Sequence, residues 1–223
     1  MLTDKRLIIF SDFDGTFVKK DIGYRMFRHF SGGINGSLVD AWKSGQLSSR
    51  ECLLQEAAMV EATLGEIHEF LRGFDLTPGA MEFYKMTIEQ GIPFYIVSDG
   101  VDLYLEHVLR QHGLGEISCF CNRGIIEGNR LRLEFPYDND GCPRCGTCKG
   151  ARIKEILGND RGLYNVIFIG DGLSDICAIP QADILFARGD FLNYCHSHGA
   201  DAIEYDDFFD ILNYLGQSGH ISG

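Results

Sequence analysis

Leu7-Ile8-Ile9-Phe10-Ser11-Asp12-Phe13-Asp14-Gly15-Thr16 is the stretch that decides the architecture of this chain. Four apolar residues in a row read as a buried strand, and Gly15 marks where it ends. Asp12 and Asp14 therefore stand at the carboxyl edge of a strand, where open α/β sheets place their ligand crevices. One carboxylate at such an edge can attack while its neighbour, one pleat further on, moves protons. An ordinary acidic turn has the same composition, since Asp and Gly are favoured in turns. The rest of the chain distinguishes the two.

With 223 residues there is enough chain to bury a core, and the length suggests one domain, or one plus a sizeable insertion. A hydrophobic content of 45% and a charged content of 23% are those of a soluble globular protein. The net charge of −12 argues against electrostatic binding of nucleic acid, which needs a basic footprint. No stretch is long and apolar enough to span a bilayer. Lys5 and Arg6 are followed by only Leu7 to Phe10, too short for a signal peptide, so a cytoplasmic address is expected.

Residues 19–77 read as a small helical insertion. Met26, Phe27 and Phe30 have helical spacing, as do Leu53, Leu54, Ala57 and Ala58. Ser48 or Ser49 ahead of Glu51 looks like a helix start, and Gly32-Gly33 and Gly45 divide the segment. From Thr77-Pro78-Gly79 onward, strands and helices alternate. A buried strand at Phe94-Tyr95-Ile96-Val97 ends in Ser98-Asp99-Gly100, and a helix from Asp102 to Gln111 leads to a short strand, Ile117–Phe120. A hairpin over residues 124–135 turns at Gly128-Asn129. A helix near Ala151 to Leu157 precedes a third buried strand, Asn165–Ile169, which ends in Gly170-Asp171-Gly172. Shorter strands at Ile184-Leu185-Phe186 and near Ala202-Ile203 follow, and a capped terminal helix turns Phe208, Phe209, Ile211 and Leu212 to the core. The expected fold is α/β: a Rossmann-like, doubly wound parallel sheet formed by residues 1–18 and 78–223, covered on both faces.

If the three buried strands are neighbours, Asp12, Asp14, Ser98, Asp171 and Asp175 converge on one crevice, with Lys149 at the start of the helix before the third strand. Acids gathered around one point repel without a cation, which implies a hard divalent metal. Mg²⁺ suits oxygen ligands and keeps positions open for water and a substrate phosphate. A phosphate ester fits this set. Asp12 can attack phosphorus to give an aspartyl-phosphate. Lys149, the Ser98 hydroxyl and the loop at Asp99 and Gly100 can hold the transferring group. Asp14 can protonate the leaving oxygen and later activate water.

These segments, in this order, resemble the four motifs of the haloacid dehalogenase superfamily: Asp12-Phe13-Asp14-Gly15-Thr16, Ser98 after an apolar strand, Lys149, and Gly170-Asp171-Gly172-Leu173-Ser174-Asp175. The resemblance implies Asp12 as nucleophile and Mg²⁺ ligand, and Asp14 as acid/base with its carbonyl on the metal. It also implies Ser98 and Lys149 on the phosphoryl group, Asp171 on Mg²⁺, and Asp175 in support of the metal site or Lys149. An acid at Asp14 is the phosphatase pattern and disfavours a dehalogenase. The helical insertion resembles the cap of the subfamily that contains phosphoserine phosphatases, in which an acid nine positions after the nucleophile reads the substrate; Asp21 stands there. Those enzymes carry Asn where this chain has Ser174. Ile92–Ser98, the Cys-rich run into Cys148-Lys149, and Phe186-Ala187-Arg188 before Leu192-Asn193 resemble another group of that subfamily, the methylthiopentenyl phosphate phosphatases of methionine salvage. The implied partner is a small phosphate monoester, with neither nucleic acid nor membrane, in a monomer or homodimer. Transfer to an alcohol shares every one of these residues. A non-catalytic protein using the scaffold for metal or redox sensing is the alternative of a different class.

Eight cysteines are many for a cytoplasmic chain. Cys52, Cys177 and Cys195 lie among apolar neighbours and read as small core residues. Cys142, Cys145 and Cys148 have C-x₂-C-x₂-C spacing, typical of zinc knuckles, but a structural Zn²⁺ site wants four ligands; Cys119 or Cys121 is placed to supply the fourth. A disulfide pair, and a tight loop of inward thiols supporting Lys149, fit the same spacing, as does a redox switch in which oxidation of Cys148 displaces Lys149. The histidines lack ligand spacing, and Arg25, Arg28, Lys43 and Arg50 read as a solvated face or as contacts to an anionic substrate.

Overall fold

In the computed structural model, which describes residues 5–137 and 139–221, strands and helices alternate along most of the chain. The strands are β1 (Arg6–Ser11), β2 (Phe94–Val101), β3 (Ser118–Glu127), β4 (Arg130–Glu134), β5 (Tyr164–Gly170), β6 (Ile184–Ala187) and β7 (Ile203–Glu204). They form one sheet in the order β4-β3-β2-β1-β5-β6-β7, parallel except for β4. The helices are α1 (Ile22–Phe30), α2 (Gly36–Lys43), α3 (Ser49–Met59), α4 (Leu64–Leu71), α5 (Ala80–Glu89), α6 (Asp102–Gln111), α7 (Lys149–Leu157), α8 (Gly189–His198) and α9 (Phe208–Gln217).

The apolar runs of β1 and β5 are continuous because both faces of the sheet are covered. Ile8 and Phe10, with Val166 and Phe168, pack toward Ile153 and Leu157 of α7 and Phe191 of α8. Ile9, Ile167 and Ile169 point the other way, toward Phe83 of α5, Leu105 of α6 and Phe208 of α9. Burial of each such side chain is worth roughly 1.5–3 kcal/mol. The chain steps from β1 out to β2 and β3, then returns to β5 on the other side of β1. That reversal opens the crevice at the carboxyl ends of β1, β2 and β5.

Helices α1–α4 lie between β1 and α5. Their entry and exit run side by side: the Lys19 amide donates to the Asp75 carbonyl (3.1 Å), the Thr77 amide to the Phe17 carbonyl (3.0 Å), and Val18 bridges Leu76. Ser48 with Glu51, and Thr63 with Glu66, make capping boxes that start α3 and α4.

Three expectations need correction. The short strand at Ile117–Phe120 runs on to Glu127, because β4 pairs with its second half as a hairpin. On α3 the inward face is Cys52, Glu56 and Ala57, while Leu54 is exposed. Phe209 also faces solvent, since Phe208, Ile211 and Leu215 already fill the inward face of α9.

Candidate active site

Asp12 leaves β1 with its amide on the Ile169 carbonyl of β5 (2.8 Å), which fixes it over the reversal point. Its Oδ1 accepts the Phe13 amide (2.7 Å) and lies 2.8 Å from Lys149 Nζ. Phe13–Phe17 then form one wide turn, closed by the Val18 amide on the Phe13 carbonyl (3.0 Å). Within it Gly15 has φ +70°, and a Cβ there would stand 2.4 Å from Asp171 Oδ2, so both conformation and space demand glycine. Arg188 donates to the Gly15 carbonyl.

Lys149 opens α7 and is fully buried. Its ammonium bridges Asp12 and Asp175 Oδ1 and donates to Ser174 Oγ (2.9 Å). Asp175 spends its other oxygen on the amides of Asp171 and Gly172, both at 2.9 Å, and so shapes the loop after β5. Asp171 Oδ1 accepts the Thr16 hydroxyl (2.8 Å). Carboxylate oxygens of Asp12, Asp171 and Asp175 lie within 4.8 Å of one another. Burial, then the charge of Asp175, pushes Asp12 well above the usual carboxylate range, against the opposing pull of Lys149. The same two causes push Asp171 up to about 7. Asp12, Asp171 and Asp175 thus crowd around one ammonium, and ionising all three leaves charge that Lys149 alone does not neutralise. Among the described residues, no protein donor meets Oδ2 of Asp12 or Oδ2 of Asp171. Two carboxylate oxygens, in an acid-rich pocket, fit a small hard cation.

Asp14 is tied to the helical insertion. Its Oδ1 accepts the first amides of α1, from Ile22 (2.7 Å) and Gly23 (3.2 Å), and its Oδ2 accepts the Tyr104 hydroxyl (2.5 Å). Burial and the charge of Asp21 raise it to about 7, while these three donors pull it down. The Tyr104 hydroxyl fits only because its neighbours lack side chains: a Cβ on Gly100 would lie 2.0 Å from it, and one on Gly23 2.9 Å. Ser98 is buried, with its Oγ accepting the Gly100 amide (3.0 Å). Asp99 points elsewhere: its carboxylate takes the Ser49 hydroxyl, the Thr147 amide (2.8 Å) and Asn122 (3.2 Å). Asp21 caps α1 by accepting the Tyr24 amide (2.7 Å) and lines the cavity.

Asp12, Asp14, Asp21, Ser98, Asp99, Gly100 and Asp171 all border one cavity of about 410 Å³, roofed by α1–α3. Of the basic residues in the insertion, Lys43 reaches it; Arg50 stacks on Phe135, 4.3 Å from the ring centroid. Sequence reasoning missed Tyr104, Glu56 and Cys177. Tyr104 and Glu56 sit on helices whose periodicity says only that they face inward. Cys177 stands two residues past Asp175 but is hidden among apolar neighbours.

Glu56 is 5% exposed and accepts Asn35 Nδ2 (2.8 Å). Burial and the charge of Asp21 raise it from 4.5 to about 7, against hydrogen bonds from Asn35 and Cys52. A raised carboxyl favours its neutral form in the fold, so its contribution is full below the unfolded value and is lost as pH rises through the folded one. Glu56→Gln, which keeps an acceptor for Asn35, is expected to be about 1–3 kcal/mol more stable than the parent at about pH 8 and equal to it near pH 4. Urea melts at the two pH values check this.

Residues 9–179 match the model of the haloacid dehalogenase-like hydrolases. The chain is 33% identical over 216 residues to a 2-hydroxy-3-keto-5-methylthiopentenyl-1-phosphate phosphatase of Geobacillus kaustophilus, covering 95% of this chain and 96% of the relative. An enzyme of the same name from Exiguobacterium sp. is 30% identical, over 93% of this chain and 96% of the relative. Among solved structures, a phospho-aspartyl intermediate analogue of phosphoserine phosphatase superposes with a TM-score of 0.73 at 22% identity, over 94% of this chain and 99% of that one.

Proposed function

Because the chain belongs to the haloacid dehalogenase-like hydrolases, we propose that it hydrolyses a small-molecule phosphate monoester through an aspartyl-phosphate on Asp12. The observation that carries this reading is the Asp12 carboxylate at the sheet's reversal point, bordering the cavity and 2.8 Å from a fully buried ammonium. A carboxylate so held is positioned and cannot be swamped by solvent. Asp12 attacks phosphorus, the bond to the ester oxygen breaks, and Asp14 gives that oxygen a proton. Asp14 then takes a proton from water, whose oxygen attacks the same phosphorus; inorganic phosphate leaves and Asp12 is restored. Lys149 and Ser98 hold the phosphoryl oxygens, with the Gly100 amide orienting Ser98. Asp12, the Asp14 carbonyl and Asp171 would hold Mg²⁺, which when bound offsets the negative charge on the phosphoryl group. Asp175 positions Lys149 and the Asp171 loop.

The cavity wall indicates the leaving group. Phe27, Val39, Trp42 and Leu53 give it an apolar patch beside Asp21, Asp40 and Glu56, and Lys43 is the one cation among its described residues beyond the catalytic floor. A neutral, thioether-bearing tail matches that apolar patch, which offers no partner to the ammonium and carboxylate of phosphoserine. The substrate proposed is therefore the enol phosphate named for the Geobacillus relative. With Mg²⁺ present, kcat/KM for that ester is expected to exceed that for O-phosphoserine by about 10²-fold, measured by phosphate release. A preference for phosphoserine would reassign the substrate.

A further inference from the structure

We propose that Cys142, Cys145, Cys148 and Cys177 form a tetrathiolate zinc site that clamps the loop before α7 to the segment after β5. The fourth ligand expected from the sequence was Cys119 or Cys121; the structure brings in Cys177 instead, which therefore is not an ordinary core residue. The four sulfurs lie within 4.8 Å of one another, and Cys142 and Cys145 are 3.7 Å apart. A tetrahedron of thiolates about 2.3 Å from zinc has its sulfurs about 3.8 Å apart. All four thiols are free, and Cys145 and Cys148 are buried.

The chain around them is arranged for convergence. Asn139 takes up the loop's backbone groups: its Nδ2 donates to the carbonyls of Cys145 (2.8 Å) and Gly146 (3.0 Å), and its Oδ1 accepts the Cys148 amide (2.9 Å). The sulfurs are left to face each other. Gly150 lets the two segments touch, since a Cβ there would lie 2.1 Å from the Cys177 carbonyl oxygen. Cys148 caps α7, so its sulfur sits at the positive end of a nine-residue helix, which favours a thiolate. Four thiols and Ala151 make up this satellite core. They bury little carbon, so hydrophobic burial alone is a weak reason for the two segments to meet here. Zinc binding needs no oxidant: Zn²⁺ displaces four thiol protons and leaves a dianionic ZnS₄ centre.

The clamp has a structural consequence. Cys148 precedes Lys149, and Cys177 follows Asp175 by two residues, so the metal would hold together the two backbones whose side chains form the buried ion pair. The Arg50 amide of α3 also bonds to the Arg144 carbonyl within the loop (3.0 Å), which seats the helical insertion on it.

The full chain, purified under reducing conditions and dialysed against excess Mg²⁺, is expected to retain one equivalent of zinc. Its zinc-edge X-ray absorption should show four sulfur scatterers at about 2.3 Å. Cys177→Ser should lower zinc affinity at least about tenfold, while Cys195→Ser, at a buried thiol outside the cluster, should leave it unchanged. If Cys177→Ser does not fold, Co²⁺ loaded into the unaltered chain decides, through the intense visible bands of a tetrahedral four-thiolate centre. Substoichiometric zinc after loading, nitrogen or oxygen ligands in the spectrum, or undiminished affinity in folded Cys177→Ser would overturn the site. None of these readouts depends on phosphatase activity, so the two proposals stand or fall separately.

Discussion

Asp12→Asn is expected to lose at least about 10⁴-fold in kcat, the scale at which removal of a nucleophile is felt, without loss of the fold. The amide cannot attack phosphorus, and the neighbouring acids are committed elsewhere: Asp171 accepts Thr16 on Oδ1 and would hold Mg²⁺ through Oδ2, and both oxygens of Asp175 are engaged. Stability should change little, because two effects oppose. The variant gives up attraction to Lys149 but also gives up burial of a charge and repulsion from Asp175 and Asp171, which together hold Asp12 above its usual range. Acid quenching during turnover should trap a phosphorylated protein in the parent and none in the variant. Undiminished labelling in Asp12→Asn would move the nucleophile elsewhere.

Lys149→Met is expected to be the most destabilising single change at the site, by about 3–5 kcal/mol, as when one partner of a buried pair is removed. Lys149 has no exposed surface, and although burial works against its charge, Asp12 and Asp175 more than reverse that and raise its pKa. Without the ammonium, two desolvated carboxylates face each other. Asp175→Asn in the same chain should recover part of the loss, since it removes one of them, and a double-mutant cycle by urea denaturation measures the coupling. Activity should not return with stability, because the phosphoryl group still lacks its cation. Additive losses would show that the pair is not a unit.

The three long strands were legible because burial on both faces gives each an unbroken apolar run, and Asp12, Ser98 and Asp171 could be placed by where those runs stop. The wide turn at Phe13–Phe17 and the bond from Asp14 to α1 were not legible, since they depend on how a distant helix start meets the strand edge. Tyr104 carries no local signal: its role rests on the missing side chains of Gly23 and Gly100, far apart in sequence. The thiol cluster was half legible. Three members share a regular spacing, while Cys177 belongs to a segment that reaches them only because α7 packs against it through Gly150.

The chain enters and leaves the roof side by side at Val18 and Leu76, and the α1 amides that hold Asp14 lie just beyond that crossing. Tilting the lid outward would strip two donors from that carboxylate and strengthen its grip on a proton; swinging it shut would return them and loosen it. Placement of the roof and readiness of the acid are thus written into the same two hydrogen bonds.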